Sequence, residues 1–145
     1  MKAVLDTNVI ISAYMAPASV PGTIIERWGA GAFEIIVSER LLAEYRRVMS
    51  YPRIQQKHRL TEDEIDQSLT RFRKKGIHTN PGVIANVVAA DSDDDIFVAC
   101  AVDGNADYIV SGDRHLLDIG EHEGIRVLRP VVFLALLDEE AGWSE

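Results

Sequence analysis

Lys2-Ala3-Val4-Leu5-Asp6-Thr7-Asn8 and, far downstream, Asp107-Tyr108-Ile109-Val110-Ser111-Gly112-Asp113 decide how this chain reads. Each is a short apolar run that stops on small polar residues and an acid. The first is too short for a helix and reads as a buried strand over residues 2–6. Short apolar runs of this kind suit a parallel sheet buried on both faces. Such sheets bind ligands in the crevice beyond the carboxyl ends of their strands. Acids gathered there repel one another unless a cation neutralises them. Mg²⁺ and Mn²⁺ prefer oxygen ligands and are the ions such a cluster would hold.

Working outward, Asn8–Tyr14 opens a helix that Pro17 and Pro21 interrupt, and a helix resumes at Gly22–Gly29 with Trp28 on its inner face. Glu34–Val37 is a second β-branched strand. Ser38 then caps a helix whose apolar positions at 41, 42, 45, 48 and 49 keep helical spacing. Glu44 sits beside that stripe. Tyr51-Pro52 is expected to end this helix, leaving residues 53–60 basic and irregular. Thr61 and Glu64 form a capping-box pattern for a helix to Lys75, with Gly76 as its C′ residue. Residues 77–90 are ambiguous, with a short strand or irregular approach at Val83–Ala89. Ser92 or Asp93 would cap an apolar helix over Asp94–Asp103, and Gly104-Asn105 closes it. A strand at Tyr108–Val110, a turn or helix at Leu116–Leu117 and a strand at Arg126–Leu128 follow. Pro130 then starts a helix through Leu137, and the polar tail 138–145 is expected to fray. Alternating strands and helices with short connections predict a single α/β domain over 1–145, a three-layer α/β/α sandwich with a mainly parallel sheet.

The chain has 145 residues, 47% apolar and 26% charged, enough to bury a core and unlike a disordered tail. No apolar run approaches the ~18–20 residues that span a membrane. The single cysteine, Cys100, lies within an apolar stretch, which fits a buried hydrophobe in a reducing cytoplasm. Net charge is −8, yet residues 40–75 hold 10 of the 15 Lys and Arg and only 5 of the 23 acids. A basic middle against an acidic remainder suits a metal-dependent phosphodiesterase, although the same charges would equally solvate helix faces.

Taken singly, the acids are weak signals. Asp6 would also serve as a helix cap, and Asp94 and Asp95 as first-turn acids. Their combination is distinctive. Leu5-Asp6-Thr7-Asn8-Val9-Ile10-Ile11-Ser12, then Glu44 in Leu41-Leu42-Ala43-Glu44-Tyr45, then Asp91–Ala101, then Ala106–Leu117 with Ser111-Gly112-Asp113 resembles the PIN-domain family. More narrowly, it is similar to bacterial and archaeal PIN proteins that act as toxin components, akin to VapC toxins. The resemblance runs from Met1 to about Leu137. It implies a metal-dependent ribonuclease with three or four site carboxylates and one or two Mg²⁺ or Mn²⁺ ions. Carried over by motif, Asp6 is the first-strand acid, Glu44 the helix acid, and Asp94 the acid before the alanine-rich helix. Asp113 is the fourth. Asp95 rivals Asp94 for the third place, and Asp91 fits an outer shell. Asn8 and Ser111 match polar positions that hold carboxylates or water. The crowded run 91–95 departs from the minimal pattern and leaves the third ligand open by a residue or two.

The implied chemistry is attack of a metal-activated water in line on phosphorus, leaving a 5′-phosphate and a 3′-hydroxyl. Glu44 would bind metal or orient that water. Arg46, Arg47, Arg53, Lys57 and Arg59 are candidates for the RNA backbone, or for an acidic segment of a protein antitoxin. Single-stranded or looped RNA suits a narrow carboxylate-lined groove. A homodimer is expected, with the C-terminal helix and the Trp28 region as candidate surfaces. Two rivals remain. One is a catalytically silent PIN-fold scaffold, which has no reason to keep repelling acids together. The other is a phosphotransfer protein, either a phosphatase or a receiver. Asn8 stands where that kind of phosphatase wants a second Asp, and no receiver-type acceptor is visible.

Overall fold

In the computed structural model, which describes residues 1–81 and 95–141, the chain opens with β1 (Lys2–Leu5) and passes into α1 (Thr7–Met15) and α2 (Val20–Gly29). Next come β2 (Glu34–Val37), α3 (Glu39–Met49), α4 (Pro52–His58), α5 (Glu62–Lys75) and β3 (Ile77–His78). After the undescribed segment follow α6 (Asp95–Asp103), β4 (Tyr108–Val110), α7 (Arg114–Leu117), β5 (Glu121–His122), β6 (Ile125–Leu128) and α8 (Pro130–Glu140). The strands form one sheet in the order β3-β2-β1-β4-β6-β5, parallel except that β5 runs antiparallel to β6.

Ala3, Val4, Leu5, Ile35, Ile36 and Val37 are all fully buried. Successive strand residues point to opposite faces, so both faces of the central strands are covered. That is the expected three-layer α/β/α sandwich. Trp28 stacks on Phe72 with ring centroids 4.7 Å apart, and Phe133 of α8 meets Phe33 edge-on at 5.0 Å. Arg71 and Lys75 lie over the Trp28 ring from outside. Trp28 itself is 1% exposed, as expected of the inner face of α2. No single helix among the described residues is long and apolar enough to cross a membrane.

Local rules explain most element boundaries. Ser38 and Thr61 cap α3 and α5 through their hydroxyls, and Glu64 completes the capping box at Thr61. Two expectations fail near proline. Pro21 and Pro52 each stand in the first turn of a helix, α2 and α4. Proline lacks an amide hydrogen, and the first helical turn does not need one. The region 53–60 is therefore helical up to His58, not irregular. The buried His58 ring locks α4 in place: Nε2 donates to the Met49 carbonyl at 2.8 Å and Nδ1 accepts from the Leu60 amide at 2.9 Å. Gly76 is extended at φ −72°. Glycine is needed there for space, because a Cβ would lie 2.5 Å from the Phe72 carbonyl oxygen. Val83–Ala89 and the cap residues Ser92, Asp93 and Asp94 lie outside the described residues.

Strand order locates the functional end. From β1 the chain moves to β2 and β3 on one side, then returns to place β4 on the other side of β1. β1 and β4 are neighbours whose onward connections leave in opposite directions. A crevice opens beyond the carboxyl ends at such a switch point.

Candidate active site

Register sets the site. Leu5 is paired with Val110, so the next residues, Asp6 and Ser111, emerge side by side at the switch point. The Asp6 amide donates to the Val110 carbonyl at 3.0 Å, and its own carbonyl accepts from the Val9 amide at 3.0 Å. Sheet and helix thus pin one residue from both directions. Its side chain does not cap α1. Instead Oδ2 accepts a 2.6 Å hydrogen bond from the Ser111 hydroxyl. Ser111 is fully buried and is itself held by its amide on the Leu128 carbonyl at 3.0 Å. Its Oγ also accepts from the Asp113 amide at 2.9 Å. Asp113 caps the short α7, accepting from the His115 amide at 2.8 Å. Asp6, Ser111 and Asp113 therefore form one hydrogen-bonded chain.

Asp6 is only 3% exposed. Burial pushes its carboxyl pKa up, opposed by the Ser111 bond and the nearby Asn8 amide, and the Asp113 charge raises it further. The Thr7 amide also favours the charged form. The Asn8 side chain is exposed in the first turn of α1. Next to Asp6, the buried Thr7 hydroxyl has no hydrogen-bond partner among the described residues. An orphaned buried hydroxyl costs about 1–3 kcal/mol, so its place beside a desolvated acid suits a polar guest. The donors offered here are oxygens, as a hard divalent ion prefers.

Glu44 is placed by its neighbour. Tyr45 is fully buried in α3 and its hydroxyl donates to the carbonyl of Leu5, the residue before Asp6. Burial drives the Tyr45 phenol well above its usual pKa, with Cys100 and Asp6 adding to the effect. The helix carrying Glu44 is thereby tied to the end of β1. The Glu44 carboxylate, 21% exposed, is gripped by Arg47, whose Nη2 lies 2.7 Å from Oε1 and whose Nε lies 3.0 Å from Oε2.

Asp94 and Asp91 lie outside the described residues, and Asp95 begins α6. Among the described residues, no three His, Cys, Asp or Glu side chains converge as a metal cluster. Arg46 is engaged across α3 and α5 by Glu62 at 3.1 Å and by Asp66. Arg53 and Lys57 are exposed on α4, and Arg59 is exposed at its left-handed cap. A groove of about 520 Å³ borders Ser38, Arg40, His78, Thr79 and Ile96. Its lining follows β2 and β3 and includes Ile96 and Ala99 of α6; none of Asp6, Ser111 and Asp113 borders it. Sequence reasoning took Tyr45 for plain core; only its hydroxyl, a polar tip in an apolar stripe, hinted at the bond to Leu5. The unpartnered Thr7 hydroxyl and the Glu44–Arg47 grip were likewise missed, although the three-residue spacing of the latter pair signals an ion pair.

Fold and crevice together define an α/β protein with oxygen donors at its switch point. The PIN domain model matches residues 2–115, and the chain belongs to the PIN-domain family. It is also 31% identical over 119 residues to the uncharacterized protein MJ1680 of Methanocaldococcus jannaschii, covering 82% of this chain and 75% of that protein. PIN domains are typically nucleases that use divalent metals.

Proposed function

We propose that this chain is a metal-dependent endoribonuclease that cuts single-stranded or looped RNA in the cytoplasm, as the toxin of a toxin–antitoxin pair. The observation that carries the reading is the buried Asp6 carboxylate, linked through Ser111 to Asp113 at the switch point of the sheet. A fold has little structural use for a desolvated acid beside a second acid. Asp6 and Asp113, with Asp94 or its rival Asp95, would hold one or two Mg²⁺ or Mn²⁺ ions; Asp91 and Asn8 would support them. The bound ion would neutralise phosphate charge and make its water acidic.

The chain's own residues do the rest. Ser111 fixes one Asp6 oxygen, Oδ2. Burial of Asp6 keeps bulk water from screening its charge. Glu44 orients the attacking water or takes its proton. Arg53, Lys57 and Arg59 offer exposed cations to phosphates, so RNA binding should weaken steeply with salt. α8 carries exposed Val131 and Val132 as a surface for a homodimer or an antitoxin.

Cleavage of a mixed single-stranded RNA pool, with Mn²⁺, Mg²⁺ or EDTA, tests the reading. Wild type should cut only with metal, and the double variant Asp6→Asn/Asp94→Asn should not cut. Cutting in EDTA, or undiminished cutting by the variant, would sink the assignment. No cutting together with no Mn²⁺ binding would favour a silent scaffold.

A further inference from the structure

The Glu44–Arg47 grip is unusual for where it stands. Isolated Glu–Arg pairs three residues apart on a helix are commonplace and individually weak. Here the guanidinium reaches both carboxylate oxygens, at 2.7–3.0 Å, on a side chain only 21% exposed. Arg47 is also held from its other side. Its Nη1 donates to the Tyr51 hydroxyl, and the guanidinium lies 5.4 Å from the Tyr51 ring centroid. Tyr51 is the residue that caps α4, the helix bearing Arg53 and Lys57. Arg47 therefore joins Glu44 of α3, the helix that Tyr45 ties to the end of β1, to the start of the basic helix α4. It remains half exposed, at 51%, and can be reached from solvent.

We propose that Arg47 is a counter-ion latch on Glu44, exchanged when RNA and metal arrive. At rest the guanidinium neutralises Glu44. When a phosphodiester takes the guanidinium, the carboxylate is released toward the cation, whether it meets the ion directly or through water. Arginine suits the exchange because its planar fork binds carboxylate and phosphate in the same bidentate way. No bond is made or broken covalently; one ion pair replaces another. Metal and RNA then bind with positive coupling, and the coupling is reciprocal. Arg47 is a positioning residue here, acting on the reaction through Glu44. The inference rests on the proposed role of Glu44 at the site.

Two binding measurements on the full chain, without turnover, test it. Mn²⁺ affinity is read by calorimetry in the absence of RNA. Affinity for a fluorescent single-stranded oligoribonucleotide is read by anisotropy in EDTA. Arg47→Gln should bind Mn²⁺ about fivefold more tightly than wild type, because the competing cation is gone. The same variant should bind RNA more weakly. Glu44→Gln should do the reverse, with weaker Mn²⁺ and tighter RNA. A merely structural Arg47 would not give opposite signs in the two assays. If Glu44→Gln weakens Mn²⁺ but Arg47→Gln leaves it unchanged or weaker, the latch is wrong and the site stands. Unchanged Mn²⁺ binding by a folded Glu44→Gln would remove Glu44 from the site, and the latch with it.

Discussion

The β1–β4 pair carries an acid at each end, and the two could hardly be treated more differently. At the amino end, Asp107 is exposed and its carboxylate accepts from the Lys2 amide at 2.9 Å, while its own amide donates back to the Lys2 carbonyl at 2.9 Å. That acid is a clamp joining two strands. At the carboxyl end, Asp6 is buried, its carboxyl is pushed toward the neutral form, and a second acid stands two residues past its serine partner. One acid serves the fold. The other is held at a cost to it. Residue type says nothing of this difference; position relative to strand direction says nearly all of it.

The comparison breaks most easily through Asp6. Asp6→Asn should lower metal-dependent RNA cleavage on the order of 10³-fold, read from initial rates, with the fold intact by circular dichroism. Activity within tenfold of wild type would erase the distinction between the ends. Ser111→Ala removes the bond that orients Asp6 and the acceptor for the Asp113 amide. It should cost roughly 10–100-fold in Mn²⁺ affinity, as loss of an outer partner usually does.

The third prediction concerns pH without metal. The folded Asp6 carboxyl is raised above its usual 3.8, so the native chain holds its proton more tightly than the unfolded chain. At higher pH the buried charge lowers stability, and the loss is recovered as pH falls through the raised value toward 3.8. Metal-free Asp6→Asn should therefore melt above wild type near neutrality, and the gap should close on acidification. A gap that widens would reverse the sign of the argument. Smallest is the control: Asp107→Asn should leave cleavage within about twofold and cost no more than about 1 kcal/mol in denaturant titration.

Much of this was legible beforehand, for identifiable reasons. The β-branched run in Glu34–Val37, closed by the cap residue Ser38, is legible as a strand, and Thr61 with Glu64 writes a helix start in the sequence itself. Asp6 and Ser111 were legible as polar residues ending apolar runs. Their 2.6 Å contact was not, because it depends on the pairing of Leu5 with Val110 across the chain. α4 was misread because proline stops a helix from within yet starts one at its first turn. β5 was missed because Glu121 and His122 form a strand through pairing with Ile125 and Arg126, around left-handed Glu123 and Gly124. No apolar pattern marks such a hairpin.

The outermost strands of the described sheet, β3 and β5, have two residues each. An edge that short gives an incoming chain almost no ladder to extend, which guards against strand-by-strand aggregation at high concentration. Among the described residues, contact between copies would then involve side chains more than a strand ladder. Val131 and Val132 of α8 carry the most exposed large apolar side chains among the described residues. Charged replacements there should tune oligomerisation while leaving the sheet, and the crevice at its end, undisturbed.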